Sequence, residues 1–405
     1  METTAGNVEA ATGDLDSPLT ATPAYSLGQL VLYVLRLGTL GFGGPVALIG
    51  YMNRDLVERR KWISEAEYKE GLTLAQLMPG PLAAQLAIYL GFVHYRVLGA
   101  TLVGIAFVLP SFIMVVALGW AYRLYGGLPW MQAAFYGVGA SVIGIIAHSA
   151  YKLTRKTIGR DKLLLAICLC TGAVTVATES EKVWMFLAAG VLVWLVRNPP
   201  SGGWIRHRVQ SVLFLPFGIE LPLAMVATNS ELLRIFLFFA KAGTFVFGSG
   251  LAIVPFLYGG VVTENHWLTD RQFVDAVAVA MITPGPVVIT VGFIGFLIAG
   301  FWGAVVAAFA TFLPCYVFTI VPAPYFKRYG KRPGIVAFVD GVTAAAIGAI
   351  AGSVIVLGRR SVFDVPTAIL AVSTLILLWK SKRVPEPVVV LIAAIVGLLI
   401  HPKLH

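Results

Sequence analysis

Arg36 and Lys241 each stand inside a long apolar run, and each is followed by the same two devices, a glycine-rich break and a Pro-Gly-Pro turn. The breaks are Phe42-Gly43-Gly44-Pro45 and Phe247-Gly248-Ser249-Gly250. The turns are Pro79-Gly80-Pro81 and Pro284-Gly285-Pro286. A helix that starts at Pro81 or Pro286 presents its first N–H groups and the positive end of its dipole to the space before it. Glycines in the breaks let backbone approach an ion closely. Small polar side chains stand near each turn: Thr39, Gln76 and Gln85 in one region, Thr244, Thr283 and Thr290 in the other. The chemistry this set supports is non-covalent capture of an anion by amide dipoles, hydroxyls and side-chain amides. Arg36 and Lys241 add full charge where they face a cavity; the competing reading is that each snorkels toward an interface.

Carboxylates are scarce here. Glu70 and Asp275 occupy matching positions ahead of the two turns, and Asp340 lies in an apolar segment at the position where the first half has Tyr136. These three are the candidates for coupling anion movement to protons, with an ordinary helix face as the alternative for Glu70 and Asp275 and pairing with a cation as the alternative for Asp340. Cys168, Cys170 and Cys315 show neither metal-ligand spacing nor a disulfide framework. His94, His148 and His266 fall at segment ends. No metal or other cofactor is expected. An enzyme acting on lipid phosphates needs clustered acids or a nucleophile beside a base, and neither pattern occurs. The P-loop pattern is absent too, which argues against ATP drive by this chain. A channel, with the same turns lining a continuous pore, is the other reading.

The elements that must position these residues are set by composition. Of 405 residues, 58% are hydrophobic and 12% charged, about half the charged share of a soluble protein. Apolar stretches long enough to cross ~30 Å of hydrocarbon recur along the chain. In lipid such stretches must be helices, which satisfy their own backbone hydrogen bonds. The net charge of +10 reads as loop Lys and Arg marking a cytoplasmic face rather than as a nucleic-acid surface. Residues 1–24 carry four acids and no basic residue, the pattern of a disordered tail and not of a signal peptide.

A shift of 205 residues aligns the chain on itself. Arg36 falls on Lys241, Gly38 on Gly243, Thr39 on Thr244, Trp62 on Trp267, Glu70 on Asp275, and the two Pro-Gly-Pro turns on each other. After one deletion Pro110 meets Pro314, Gly137 meets Gly341 and Gly144 meets Gly348. Residues 25–200 and 230–405 are therefore two copies of one unit, with 201–229 as a linker. Each copy shows six apolar segments: near 27–51, 72–92, 97–122, 130–150, 162–178 and 183–197, and again near 232–262, 274–298, 301–322, 335–357, 364–379 and 386–401.

The second segment of each copy opens with a capping box, Ser64 with Glu67 and Thr269 with Gln272. It meets its first proline about 14 residues later, after ~21 Å of helix, too short to span. A re-entrant helical hairpin follows, with a proline kink as the alternative. The hairpin places Arg54, Arg59, Arg60, Lys61 and Arg96 on the side of Lys152, Arg155, Lys156, Arg160, Lys162 and Arg197, as the positive-inside rule asks. The expected fold is an all-α polytopic membrane protein of two homologous inverted repeats, each with about five transmembrane helices and one broken, re-entrant hairpin. Inverted repeats with broken helices are the architecture of secondary transporters.

Several runs resemble the chromate ion transporter family in its long-chain, two-domain form. They are Gly41 to Pro45 (GFGGP), Val57 to Trp62 (VERRKW) and Leu74 to Gln85 (LAQLMPGPLAAQ), with FGSG at 247–250, Trp267 and Met281 to Pro286 (MITPGP) in the second copy. The resemblance covers nearly the whole chain past the tail. It implies a multi-pass protein of the bacterial inner membrane that exports chromate and confers resistance, driven by the proton gradient or membrane potential. It carries Arg36, the glycine motifs and the two turns over as site positions. Chromate is a tetrahedral dianion close to sulfate in shape, so sulfate stands as an alternative cargo. The partners implied are chromate or sulfate and the lipid bilayer, not nucleic acid, and a homodimer is left open.

Overall fold

A computed structural model describes residues 25–41, 44–125, 128–178, 183–199, 231–244, 246–248, 250–329, 332–362, 364–380, 384 and 386–400. The tail and the linker expected from the sequence lie outside them. The first repeat contains α1 (Leu27–Leu40), α2 (Gly44–Met52, ending in a π turn Asn53–Arg59), α3 (Glu65–Leu77), β1 (Gly80–Pro81), α4 (Leu82–Tyr125), α5 (Pro129–Leu153), α6 (Lys162–Thr178) and α7 (Val183–Arg197). The second contains α8 (Glu231–Thr244), β2 (Phe247–Gly248), α9 (Val254–Tyr258), α10 (Asp270–Ile282), α11 (Thr290–Ile320), α12 (Ala323–Tyr329), α13 (Pro333–Ser361), α14 (Val365–Lys380) and α15 (Glu386–Ile400).

The duplication extends to backbone detail. Both capping boxes form, Ser64 with Glu67 on α3 and Thr269 with Gln272 on α10. Lys61 and its counterpart His266 both take positive φ, 53° and 51°. The long helices α4 and α11 both fold sharply in mid-course, at Arg96 (φ 52°) and at Gly300 (φ 65°). Beyond each fold the second arm doubles back on the first. Gly91 packs on Gly99 and Gly295 on Gly303, with no room for a Cβ at any of the four.

Contacts along α3 and the first arm of α4 (82–95) settle the hairpin. Glu67 meets His94 at 3.2 Å near the base, Gly71 lies against the Tyr89 ring, and Gln85 reaches back to the Pro79 carbonyl at the tip, 2.7 Å away. Numbers that rise on one arm as they fall on the other define antiparallel arms, so the chain leaves on the side it entered. The first apolar segment, counted as a crossing from the sequence, is itself broken after Gly41. Its halves turn back on each other: Tyr25 ahead of α1 stacks on Trp62 beyond α2 at 4.9 Å, and Tyr33 bonds the Tyr51 carbonyl at 3.2 Å. The second repeat does the same, with Phe238 of α8 packed on Phe256 and Trp267, so each repeat holds two broken helix pairs.

The second arm of α4 (97–125) fixes the relative orientation of the repeats. α4 is one of four described helices long and apolar enough to cross a membrane. The base of the first hairpin, at Glu67 and His94, lies at the start of this arm. The base of the second lies at its far end, where Tyr122 bonds Asp275 and Arg271 reaches the Gln132 carbonyl at the start of α5. The two hairpins therefore enter from opposite sides, and the repeats are inverted. Arg197 closes the first repeat beside Asp161, on the side of Arg96. Glu231 opens the second on the other side, where Arg234 bonds Asn265. Arg54, Arg59, Arg60, Arg96, Arg155 and Arg160 share the first side, which the positive-inside rule makes cytoplasmic.

The repeats interlock. α13 of the second packs on α6 and α7 of the first, and α5 of the first packs on α14 and α15 of the second. Small residues make these contacts close: Gly137 lies against Ala393 and Gly397, Gly341 against Ala189, and Gly348 against Cys168. Close backbone approach through small residues is the usual means of helix association where lipid removes the hydrophobic drive. These six helices form one bundle. The broken helix pairs of both repeats, with the second arms of α4 and α11, form the other.

Candidate functional site

The two hairpin tips meet halfway along α4. Gly80 donates its N–H to the Val246 carbonyl at 2.6 Å, and Gly285 donates its N–H to the Gly41 carbonyl at 3.1 Å. Gly41 and Val246 are 205 residues apart, as are Gly80 and Gly285, so these are one bond written twice by the pseudo-two-fold. β1 also pairs in parallel with β2, Gly80 opposite Phe247 and Pro81 opposite Gly248. The turn of each hairpin is thereby docked on the glycine-rich break of the other repeat.

Glycine is required at both tips for stated reasons. Gly80 and Gly285 sit at φ 144° and 92°, where a side chain is strained. A Cβ on Gly285 would also run into the Ser111 hydroxyl and approach the Gly38 carbonyl. Ser111, fully buried on α4, donates to the Pro284 carbonyl at 2.7 Å. The first arms of α4 and α11 then lead away from the tips in opposite directions. Their N-terminal ends, with the positive ends of two helix dipoles, converge on one region.

A cavity lies between the tips, lined by Pro45, Pro81 and Leu48 from one repeat and Gly250, Gly285 and Pro286 from the other. Its volume, about 10 Å³ open to a water's centre, holds roughly one water. A tetraoxo anion needs several times that space, so the tips must part to admit one. A wider cleft of about 520 Å³ lies at the base of the second hairpin, against His266, Trp267, Thr269 and Asp270.

The predicted residues divide into those at the tips and those elsewhere. Gly80, Pro81, Gln85, Gly248, Gly285 and Pro286 come together, and Gly44 opens α2 next to the cavity-lining Pro45. Gln85 is fully buried, and its Oε1 has no hydrogen-bond partner among the described residues. Thr283 and Thr290 are buried, but each hydroxyl donates within the hairpin, to Ala280 and Ala276. Thr39 and Thr244 return their hydroxyls to their own helices, at Leu35 and Ala240. Gln76 is exposed on α3. Arg36 and Lys241 stand on the exposed faces of α1 and α8, opposite the faces that carry Gly38 and Gly243, so this conformation keeps both cations away from the tips. Gly43 and Ser249 lie outside the described residues.

The carboxylates also separate. Asp275 is buried and accepts from Tyr122 at 2.7 Å, and Glu70 faces the Tyr89 hydroxyl. Asp340 is held by Arg197 at 2.5 Å, and Arg197 holds Asp161 at the same distance. Among the described residues no group of three or more His, Cys, Asp or Glu could hold a metal ion. Ser111 and Tyr122 stand outside the predicted set, and Gly38, known from the sequence as a repeat position, lies against the second tip. Ser111 had a signal, since it follows the register proline Pro110 as a polar residue in an apolar run.

A profile of the family described as Chromate transporter matches residues 28–194 and again 233–398. The chain is 68% identical over 384 residues to the "Chromate transport protein" of Cupriavidus metallidurans, covering 95% of each chain. It is 63% identical over 392 residues to the "Probable chromate transport protein" of Synechococcus elongatus, covering 96% of this chain and all of that one. It is 30% identical over 404 residues to the "Chromate transport protein" of Pseudomonas aeruginosa, covering 94% of each. No solved structure matches.

Proposed function

The chain belongs to the chromate transporter family, a family of transporters rather than enzymes, and from that premise we propose that it is a secondary exporter of chromate in the bacterial inner membrane. Export of this kind confers chromate resistance. The reading rests on one observation, the reciprocal docking of Gly80 on Val246 and Gly285 on Gly41. Two helix N-termini from opposing leaflets then face one small cavity, an arrangement suited to a dianion in a low dielectric. The anion enters when one tip separates and releases its amide N–H from the partner carbonyl. Gln85 supplies its amide to the first tip. Arg36 and Lys241 remain proposed cations of the site, although in this conformation they stand on the exposed faces of α1 and α8.

Glu70 and Asp275, each on a hairpin arm and each facing a tyrosine, are the proposed coupling sites. Asp340 is bound to Arg197 and joins the repeats instead. Among the described residues the cavity lining is backbone and apolar side chains, which supports sulfate as a second cargo.

The test is flux of radiolabelled chromate into inverted membrane vesicles with and without a proton gradient. Uptake above that of vesicles lacking the chain is expected, with competition by unlabelled sulfate. Uptake equal to the control would remove the proposal. Counterflow separates the readings: a carrier is stimulated by substrate on the far side, and a channel is not.

A further inference from the structure

The two arms of the first hairpin carry titratable groups on the sides that face each other. At the base, the His94 ring joins two elements. Its Nδ1 lies 2.7 Å from the Tyr25 hydroxyl ahead of α1, and its Nε2 lies 3.2 Å from the Glu67 carboxylate of α3. With Tyr25 donating to Nδ1, the ring proton sits on Nε2 and points at Glu67. The His94 and Glu67 side chains are 22% and 29% exposed, so water reaches this pair. One helical turn inward on α3, half-buried Glu70 faces the hydroxyl of buried Tyr89, which also feels the charge of Glu67. The other charged and titratable groups nearby are engaged elsewhere. Lys69 pairs with Glu65 at 2.6 Å on the outer side of α3, Arg60 lies over Trp62 behind the Tyr25 ring, Arg96 lies over Phe92, and Tyr95 donates to the Tyr25 carbonyl.

The second hairpin lacks this ladder. Gln272 stands in place of Glu67, and in the register that sets Gly91 on Gly295, Phe293 stands in place of Tyr89 and Ile298 in place of His94. Asp275 bonds Tyr122 of the first repeat instead. The two repeat-related carboxylates therefore differ in their link to water. We infer that the seam of the first hairpin is the proton route between the cytoplasm and Glu70, with His94 as the exchanging group at the base and Glu67 and Tyr89 as carriers. The inference rests on the reading of Glu70 as a coupling site. Protons balance at each step. His94 takes a proton from water and becomes imidazolium, with the Tyr25 hydroxyl turning to accept; loss of the Nε2 proton to Glu67 returns a neutral ring. Glu67 then protonates the Tyr89 oxygen as that hydroxyl gives its own proton to Glu70, and the tyrosine ends unchanged. Release to the cytoplasm is the same sequence reversed.

The test uses the full chain in inverted membrane vesicles, with Glu67→Gln and His94→Gln as separate variants. Gln272 already forms the same capping box in the second hairpin, so Glu67→Gln keeps the cap of α3. Chromate counterflow, which needs no net proton movement, is expected to stay near the parent's in both variants. Stimulation of uptake by an imposed proton gradient is expected to be lost in both. A second measurement needs no chromate. After a pH jump on the purified chain, protonation of Glu70 is followed by the carboxyl infrared band that Glu70→Gln abolishes. It is expected to slow by roughly a hundredfold in both variants, the lower end of what a positioned proton carrier supplies. Gradient stimulation and a protonation rate equal to the parent's overturn the route. Loss of counterflow together with stimulation overturns it as well, because the pair then only holds the hairpin together. The transport reading is judged on the parent: slowed protonation of Glu70 in the variants of a chain without counterflow keeps the route and removes transport, and unslowed protonation with intact flux does the reverse.

Discussion

The Tyr122 hydroxyl, near the far end of α4, donates a 2.7 Å hydrogen bond to the Asp275 carboxylate in the second hairpin and so ties the first repeat to the second. Asp275 is only 3% exposed, so no water replaces a lost donor. Tyr122→Phe is expected to cost about 2 kcal/mol, the penalty for stranding a buried acceptor, read as a lowered unfolding midpoint of the purified protein. Asp275→Asn keeps a group that can accept from Tyr122 and removes the titratable one. Chromate flux in that variant is expected to lose its response to an imposed proton gradient; a response equal to the parent's would take Asp275 out of the coupling scheme.

Gly285→Ala puts a methyl into the Ser111 hydroxyl at a backbone angle that L residues rarely adopt. The tip cannot dock, and chromate flux is expected to vanish while immunoblots still find the protein in the membrane. Ser111→Ala removes one hydrogen bond and no volume conflict. It is expected to cost about 1 kcal/mol of stability and to lower flux only in part.

Arg96 and Gly300 hold the same fold in their helices, at φ 52° and 65°. Only one of them is glycine. Arg96→Gly is expected to stabilise the protein by about 1 kcal/mol by relieving backbone strain, and Gly300→Ala to destabilise it by a similar amount. Thermal unfolding of both variants beside the parent measures the two signs.

Arg197 bridges Asp161 and Asp340 across the repeat boundary on the charged face. The Leu164 backbone N–H and then Arg197 hold the Asp161 carboxyl below its usual 3.8. A depressed carboxylate pKa stabilises the fold above the unfolded value and ceases to do so as pH falls through the folded one. Arg197→Ala is expected to cost about 1 kcal/mol near neutral pH, because the pairs are partly exposed. The gap between variant and parent is expected to close on acidification below about pH 4. A gap that stays constant across that range would assign the loss to packing rather than charge.

Sidedness gives a fifth expectation. Single cysteines at Arg60 and Arg155 are expected to react with an impermeant thiol reagent from the cytoplasm, and cysteines at Arg123 and Arg234 from the other side. Labelling of positions 60 and 155 from opposite faces would refute the hairpin topology.

The duplication, the tips and the charge sides were legible because they rest on local signals. Pro-Gly-Pro cannot continue a helix, Ser64 and Thr269 cap one, and the arginines of the 54–60 and 155–160 clusters choose a face. Other features depend on tertiary contact. An apolar run from 27 to 51 has the length of one crossing, and only the stacking of Tyr25 on Trp62 reveals two arms that return together. For Arg36 the sequence leaves a cavity and an interface both open, because helix position gives depth and not direction; the structure turns it away from Gly38. Asp340 reads from the sequence as a cation's partner or as a proton carrier; the structure gives it the cation, but Arg197, 2.5 Å away, is 143 residues distant in the chain and could not be named from it. Tyr122 carries no sequence signal that points across 153 residues to Asp275.

The exchange of helices between repeats, α13 into α6 and α7 and α5 into α14 and α15, bears on how such a chain can be assembled at all. Either half made alone is a clasp without its other jaw, leaving stripes such as Gly137 and Gly144, or Gly341 and Gly348, pressed into lipid. A half-length polypeptide of this design closes its own core only by finding a second copy inserted upside down. Cutting the chain between the halves should therefore be tolerated when both pieces are synthesised in one membrane, and neither piece should mature by itself.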